Sequence, residues 1–231
     1  MSKLFEEELK TIKFRNVNAV VREGTSDEFV VKEVFTGEYN KLHITSDDVV
    51  VDFGLNIGMF TTFALLKGAK KVYSYEADAD NFELAKQNVA LNCNDSARYQ
   101  LNNLAVIGND DEYREFSING KKNKGAHSLV HKRGRSTVQV SCININKVFE
   151  EACPTVVKMD IEGGEYECLP AIRSFEGIRE FIMEFHHAHL NDIKTHDKYN
   201  EILDLMRKHF KHVEARAETK GAWVNIIYCR N

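Results

Sequence analysis

Three consecutive valines, Val49-Val50-Val51, run straight into Asp52-Phe53-Gly54-Leu55-Asn56-Ile57-Gly58, and a helical stretch over 57–66 follows. No other segment restricts the fold as strongly. A short β-branched run closed by a glycine turn reads as a strand buried on both faces. A helix opening directly behind that turn makes it the first unit of an open parallel sheet, whose ligands bind beyond the carboxyl ends of the strands. Gly54 lets the backbone turn sharply and approach a ligand, and Gly58 permits close packing at the helix start. Asp52 is expected to point into the crevice past the strand end.

The strand-then-helix order repeats along the chain. Residues 71–76 read as the next strand, and 80–91 as an amphipathic helix with Phe82, Leu84, Ala85 and Val89 as buried positions. Residues 98–106 read as a third strand, and 155–160 and 180–185 as two more. A helix over 199–209 and two β-like runs, 212–217 and 222–229, finish the chain. Such alternation implies a mostly parallel sheet covered on both faces, and the two closing strands suggest a C-terminal antiparallel hairpin. Residues 1–47, with a β-like run over 29–35, read as a lead-in beside a core of 48–231.

At 231 residues, with two prolines, no Ser/Gly-rich linker and no internal repeat, the chain 1–231 is expected to form one α/β domain. Its 43% hydrophobic and 29% charged residues describe a folded protein rather than a disordered one. The charged start lacks the apolar core of a signal peptide, and no apolar run approaches the ~20 residues of a membrane span. Five scattered cysteines without a C-x-x-C pair read as reduced thiols, so a cytoplasmic location is expected. The net charge of −4 argues against a polyanion binder, and nucleic acid is not the expected partner.

The G-x-x-x-G spacing of Gly54 and Gly58 differs from the G-x-G-x-x-G loop that cradles a pyrophosphate, and Asp52 just ahead of it repels phosphate. This disfavours a nicotinamide-dependent dehydrogenase. A ligand with a cationic amino-acid end, such as S-adenosylmethionine, suits the loop better. Glu76 ends the next strand 24 residues after Asp52, near the ~20-residue separation of an acid that grips ribose hydroxyls. Asn103 offers both a donor and an acceptor to a base edge, with Asn102 or a turn role as alternatives.

Two further clusters close later strands. Lys158-Met159-Asp160-Ile161-Glu162-Gly163-Gly164-Glu165 brings Asp160 to the crevice beside Asp52 if the two strands are neighbours. Glu162 divides evenly between function and helix-start stabilisation, and Glu165 favours the latter. Glu184 and His186 share strand parity, and His186 or Asp160 is a candidate general base, with Glu184 orienting the imidazole. An Asp160–Glu184–His186 set also suits a divalent metal, and the metal requirement stays open. The basic stretch 121–135 reads as a solvated hairpin, with His127 and Ser128 as candidates to line a pocket.

With these residues in view, the chain resembles the FkbM family of methyltransferases. The matching pieces are VVVDFGLNIGMFT, VYSYEADADNFELAKQNV, LNNLAVIG, GAHSLV, VVKMDIEGGEYECL and IMEFHH. The resemblance implies a Rossmann-like class I methyltransferase domain with a seven-stranded sheet. It implies Asp52, Gly54, Asn56, Gly58 and Glu76 as S-adenosylmethionine positions, and Asp160 and Glu162 as active-site acids. Leu55 stands where the family has a small residue. The implied activity is O-methylation of a sugar hydroxyl on a glycan or glycosylated small molecule. A nucleic-acid methyltransferase and an inactive methyltransferase fold that binds a partner are the alternatives.

Overall fold

The computed structural model describes residues 8–118, 128–129, 136–186, 193–215 and 224–231. An antiparallel hairpin, β1 (Leu9–Phe14) and β2 (Val17–Arg22), is followed by α1 (Asp27–Thr36) and a 3-10 turn at Glu38–Lys41. Then come β3 (Val49–Phe53), α2 (Met59–Leu66), β4 (Lys71–Tyr75), α3 (Ala79–Asn92), β5 (Tyr99–Asn102) and β6 (Ala105–Ile107). The second half holds β7 (Tyr113–Ile118), β8 (Ser136–Asn144), α4 (Ile145–Ala152), β9 (Val156–Met159) and α5 (Glu165–Ala171). It ends with β10 (Glu180–His186), α6 (Ile193–His209), β11 (His212–Ala215) and β12 (Val224–Arg230).

The main sheet has seven strands in the order β11-β12-β10-β9-β3-β4-β5. β10, β9, β3, β4 and β5 pair in parallel, whereas β12 runs antiparallel to both β10 and β11. The chain moves outward on one side of β3 through β4 and β5, and on the other side through β9 and β10. The order therefore reverses between β3 and β9, where a crevice opens beyond the strand ends.

Alternation along each strand divides the core into two layers. Val51, Phe53, Val157, Met159, Phe181 and Met183 face one layer, packed with residues of α4, α5 and α6. Val50, Val72, Val156, Ile182 and Tyr228 face the other, with α1, α2 and α3. Every residue of α2 from Met59 to Leu65 is buried, which a helix lying on a sheet achieves only if something covers its back. The lead-in is that cover. Phe35 meets Phe63 edge-on at 5.8 Å and Tyr39 meets Phe60 at 5.1 Å. Buried Arg22 on β2 donates to Asp27 on α1 and to Asn81 on α3, and so ties hairpin, helix and core together.

Two expectations are corrected. The run 29–35 is helical, inside α1: Val30, Val31, Val34 and Phe35 are spaced to pack with the apolar layer of α2, and that packing overrides the strand preference of the β-branched valines and the aromatic ring. The single strand expected over 98–106 is two strands in different sheets, because the chain turns at Asn103-Leu104 after β5 and sends β6 to pair with β8. Of the expected core of α3, Leu84, Ala85 and Val89 are buried, and Phe82 is half-buried. A three-stranded sheet, β6-β8-β7, flanks the crevice, and Ser128 bridges to Ser117 at its end. Most of the basic stretch 121–135, with His127, lies outside the described residues, as do His187 and His189. Among the described residues no helix is long and apolar enough to cross a membrane.

Candidate functional site

The turn after β3 is built by backbone that only glycine tolerates easily. Gly54 has φ +85°, its N–H donates to the Tyr75 carbonyl, and a Cβ there would sit 1.8 Å from the Asp160 carbonyl oxygen. The close approach expected of Gly54 is thus to the strand-end backbone of β9. Gly58, at φ +86°, caps α2 and lies against Ala85 and Val89 of α3, the packing role its position implied.

Asp52 does not reach the crevice. It is fully buried, with Oδ2 accepting from Thr61 Oγ1 at 2.8 Å and Oδ1 3.2 Å from Lys158 Nζ. Lys158, pairing with Asp52 across β9 and β3, donates to the carbonyls of Gly54 at 2.6 Å and Phe53 at 3.2 Å. Burial works against its charge, yet Asp52 and Asp160 hold its pKa above the ordinary lysine value. Asp52 and Lys158 therefore form an internal brace for the loop.

Two cavities meet at the carboxyl ends of β3 and β9. The first is lined by Asn56, Glu76, Leu104, Val106, Phe116 and Ile161, among others. Glu76 accepts from the backbone N–H of Asn56 at 2.7 Å and of Asp78 at 2.9 Å, and burial pushes its pKa up to about 7. Asn56 holds a left-handed φ of +51°, which aims its N–H at that carboxylate. Asn103 is not among the residues lining this cavity, and its Nδ2 donates to the carbonyls of Glu76 and Ala77 in the turn.

The second cavity, of about 350 Å³, is walled by Ser26, Phe29, Glu33 and Tyr39 of the lead-in and by Lys158, Glu184 and His186 of the sheet. Gly54, Asn56, Asp160 and Glu162 border both cavities. Glu162 has φ +52°, an uncommon backbone for a non-glycine residue, and burial pushes its pKa up to about 8. Ser128 Oγ donates to its carbonyl at 2.5 Å, so the expected pocket-lining serine instead fixes the acid's backbone.

The pairing expected of Glu184 and His186 is replaced by two others. Glu184 Oε1 accepts from the Tyr39 hydroxyl at 2.8 Å, and burial pushes Glu184 up to about 7. His186 Nδ1 lies 3.2 Å from Glu165 Oε1, and Glu165 also accepts from the N–H groups of Ile161 and Gly163. Burial opposes charge on His186, but Glu165, Glu162 and Asp160 together raise it to about 10. His186 Nε2 faces Glu162 at 3.5 Å and Asp160 at 3.8 Å, and donor atoms of these three residues lie within 4.8 Å of one another. Glu162 thus takes the place expected for Glu184 beside Asp160 and His186. Tyr39 and Lys158 were not among the expected site residues. Lys158 was legible from its parity with Asp160, whereas nothing local marks Tyr39.

A model of the methyltransferase FkbM domain matches residues 52–213. No curated protein sequence matches. Among solved structures, P. horikoshii TYW2 in complex with MeSAdo superposes with a TM-score of 0.52 at 14% identity, covering 97% of this chain and 71% of that one. M. jannaschii TYW2 in complex with AdoMet gives 0.52 at 15% identity, covering 97% and 88%. Precorrin-6y C5,15-methyltransferase from Geobacter metallireducens gives 0.51 at 11% identity, covering 95% and 97%. These likenesses establish the class I methyltransferase fold.

Proposed function

This chain belongs to the FkbM methyltransferase family, and we propose that it is an S-adenosylmethionine-dependent O-methyltransferase acting on a sugar hydroxyl of a glycan or glycosylated small molecule. The observation that carries the reading is the meeting of two cavities at Asp160 and Glu162, one edged by a buried acid and the other by a mixed aromatic and acidic wall.

The residues of the first cavity fit the cofactor. Glu76 has its two oxygens turned to backbone N–H groups at the edge of the cavity, and a carboxylate so placed still has lone pairs for ribose hydroxyls. Leu104, Val106, Phe116 and Ile161 offer an apolar lining to a flat base. Asp160 supplies negative charge toward the cationic end of the ligand. When bound, S-adenosylmethionine supplies an electrophilic methyl group. The chain's own contribution is to hold the acceptor in line, for which alignment alone lowers the barrier by ~7–11 kcal/mol.

Glu184 is the base we assign. Tyr39 holds its Oε1, and its Oε2 has no hydrogen-bond partner among the described residues, so it has a free lone pair to take a hydroxyl proton. Phe29, exposed on the cavity rim, presents an aromatic face of the kind on which the C–H face of a sugar packs. The carboxylates around this cavity disfavour a phosphate-rich acceptor, which weighs against the nucleic-acid alternative.

Calorimetry with S-adenosylhomocysteine, wild type beside Glu76→Ala, tests the cofactor site. Binding that collapses in the variant supports it, and no binding by the wild type sinks the methyltransferase reading in favour of an inactive fold. With an acceptor in hand, Phe29→Ala is expected to raise its KM roughly 2–10-fold, the worth of one aromatic contact, with kcat little changed.

A further inference from the structure

We infer that Asp160, Glu162 and His186 form a site for one divalent metal ion of the manganese or magnesium type, at the junction of the two cavities. Two donors each about 2.1 Å from a six-coordinate ion lie about 3 to 4.2 Å apart. The distances from His186 Nε2 to Glu162 Oε2, 3.5 Å, and to Asp160 Oδ1, 3.8 Å, fall inside that bracket and are too long for good hydrogen bonds.

The imidazole is prepared as a ligand. A metal-binding histidine almost always gives its second ring N–H to a carboxylate or carbonyl, which fixes the tautomer and turns the other nitrogen toward the ion. Glu165 plays that part for Nδ1 and is itself immobilised by two backbone N–H groups in a fully buried position. His186 is only 8% exposed, yet its Nε2 has no hydrogen bond among the described residues and is aimed at two acids. Glu162 is held in its uncommon left-handed conformation with its carboxylate toward that nitrogen, and such local cost is a mark of functional sites.

A divalent ion would displace the protons of Glu162 and His186, leaving two carboxylates and a neutral imidazole to balance its charge, and an oxygen-rich set with one nitrogen suits manganese or magnesium. Three protein donors leave about three positions of a six-coordinate ion open to the 350 Å³ cavity. Oxygens of the acceptor, such as two neighbouring hydroxyls, are the ligands of the right chemistry for them. That use rests on the methyl-transfer reading, whereas the metal site itself does not.

The test is titration of the metal-stripped full chain with MnCl2, following free Mn2+ by electron paramagnetic resonance, with S-adenosylhomocysteine calorimetry run in parallel. The expected result is one Mn2+ per chain, weakened about tenfold or more in His186→Ala and Glu162→Gln. Glu165→Gln, which touches no metal, is expected to weaken it by about 10–100-fold, and Glu83→Gln on the surface not at all. Paramagnetic broadening in the wild type that is strongest at the amides around residues 160–165 and 186 and fades with distance from them supports the site without recourse to variants. Absence of saturable binding, equal affinity in His186→Ala and Glu162→Gln, or broadening centred on another part of the molecule overturns it. Manganese binding without S-adenosylhomocysteine binding supports the metal site while removing the methyl-transfer reading, and the converse overturns the metal site alone.

Discussion

At Gly54 a hydrogen in place of a methyl group decides whether the sheet closes. Its left-handed backbone and the 1.8 Å that would separate a Cβ from the Asp160 carbonyl act together. Gly54→Ala is expected to cost at least about 2 kcal/mol, measured by urea denaturation, and to displace the Asp160 strand end. Glu76 sets a different kind of dependence. Its folded pKa, about 7, is raised by burial, so between the ordinary carboxylate range and pH 7 the folded protein keeps a proton that the unfolded chain has released. Stability is therefore expected to fall as pH rises through that window, and Glu76→Gln to remove this part of the slope in denaturation at pH 5 and pH 8. Ribose hydroxyls donate best to the ionised acid. The affinity for S-adenosylhomocysteine is accordingly expected to strengthen as pH passes 7, in calorimetry across that range.

Among the elements, the strands that carry the site were legible because short apolar runs ended in Asp52, Glu76, Asp160 and Glu184, a pattern set locally. The elements read wrongly depended on distant partners. The helical state of 29–35 follows from the back of α2, and the break at Asn103-Leu104 from the pairing of β6 with β8. The same reason hid side-chain contacts within the site. Tyr39 meets Glu184 across 145 positions of chain, and Glu165, read as a helix-start acid, turns out also to hold His186. Arg22 links β2 to α1 through Asp27 and to α3 through Asn81. Arg22→Ala strands buried Asp27 without its cation, and the expected loss is about 3–5 kcal/mol by chemical denaturation.

For the molecule as a whole, the lead-in closes the apolar layer over α2, so residues 8–47 and the core are expected to unfold together. Far-UV circular dichroism and the amide signals of β1 and β2 are expected to report one coincident transition, and two separated transitions would define an independent N-terminal unit. The same lead-in supplies Ser26, Phe29, Glu33 and Tyr39 to the larger cavity but no strand to the seven-stranded sheet. The glycine loop, the brace of Asp52 and Lys158, and the acids beside β9 and β10 thus sit on the sheet, and most of the opposing wall sits on a segment outside it. Exchanges at the exposed wall positions Phe29 and Glu33 can therefore reshape the larger cavity while the sheet stands untouched, whereas Tyr39 is tied to Glu184.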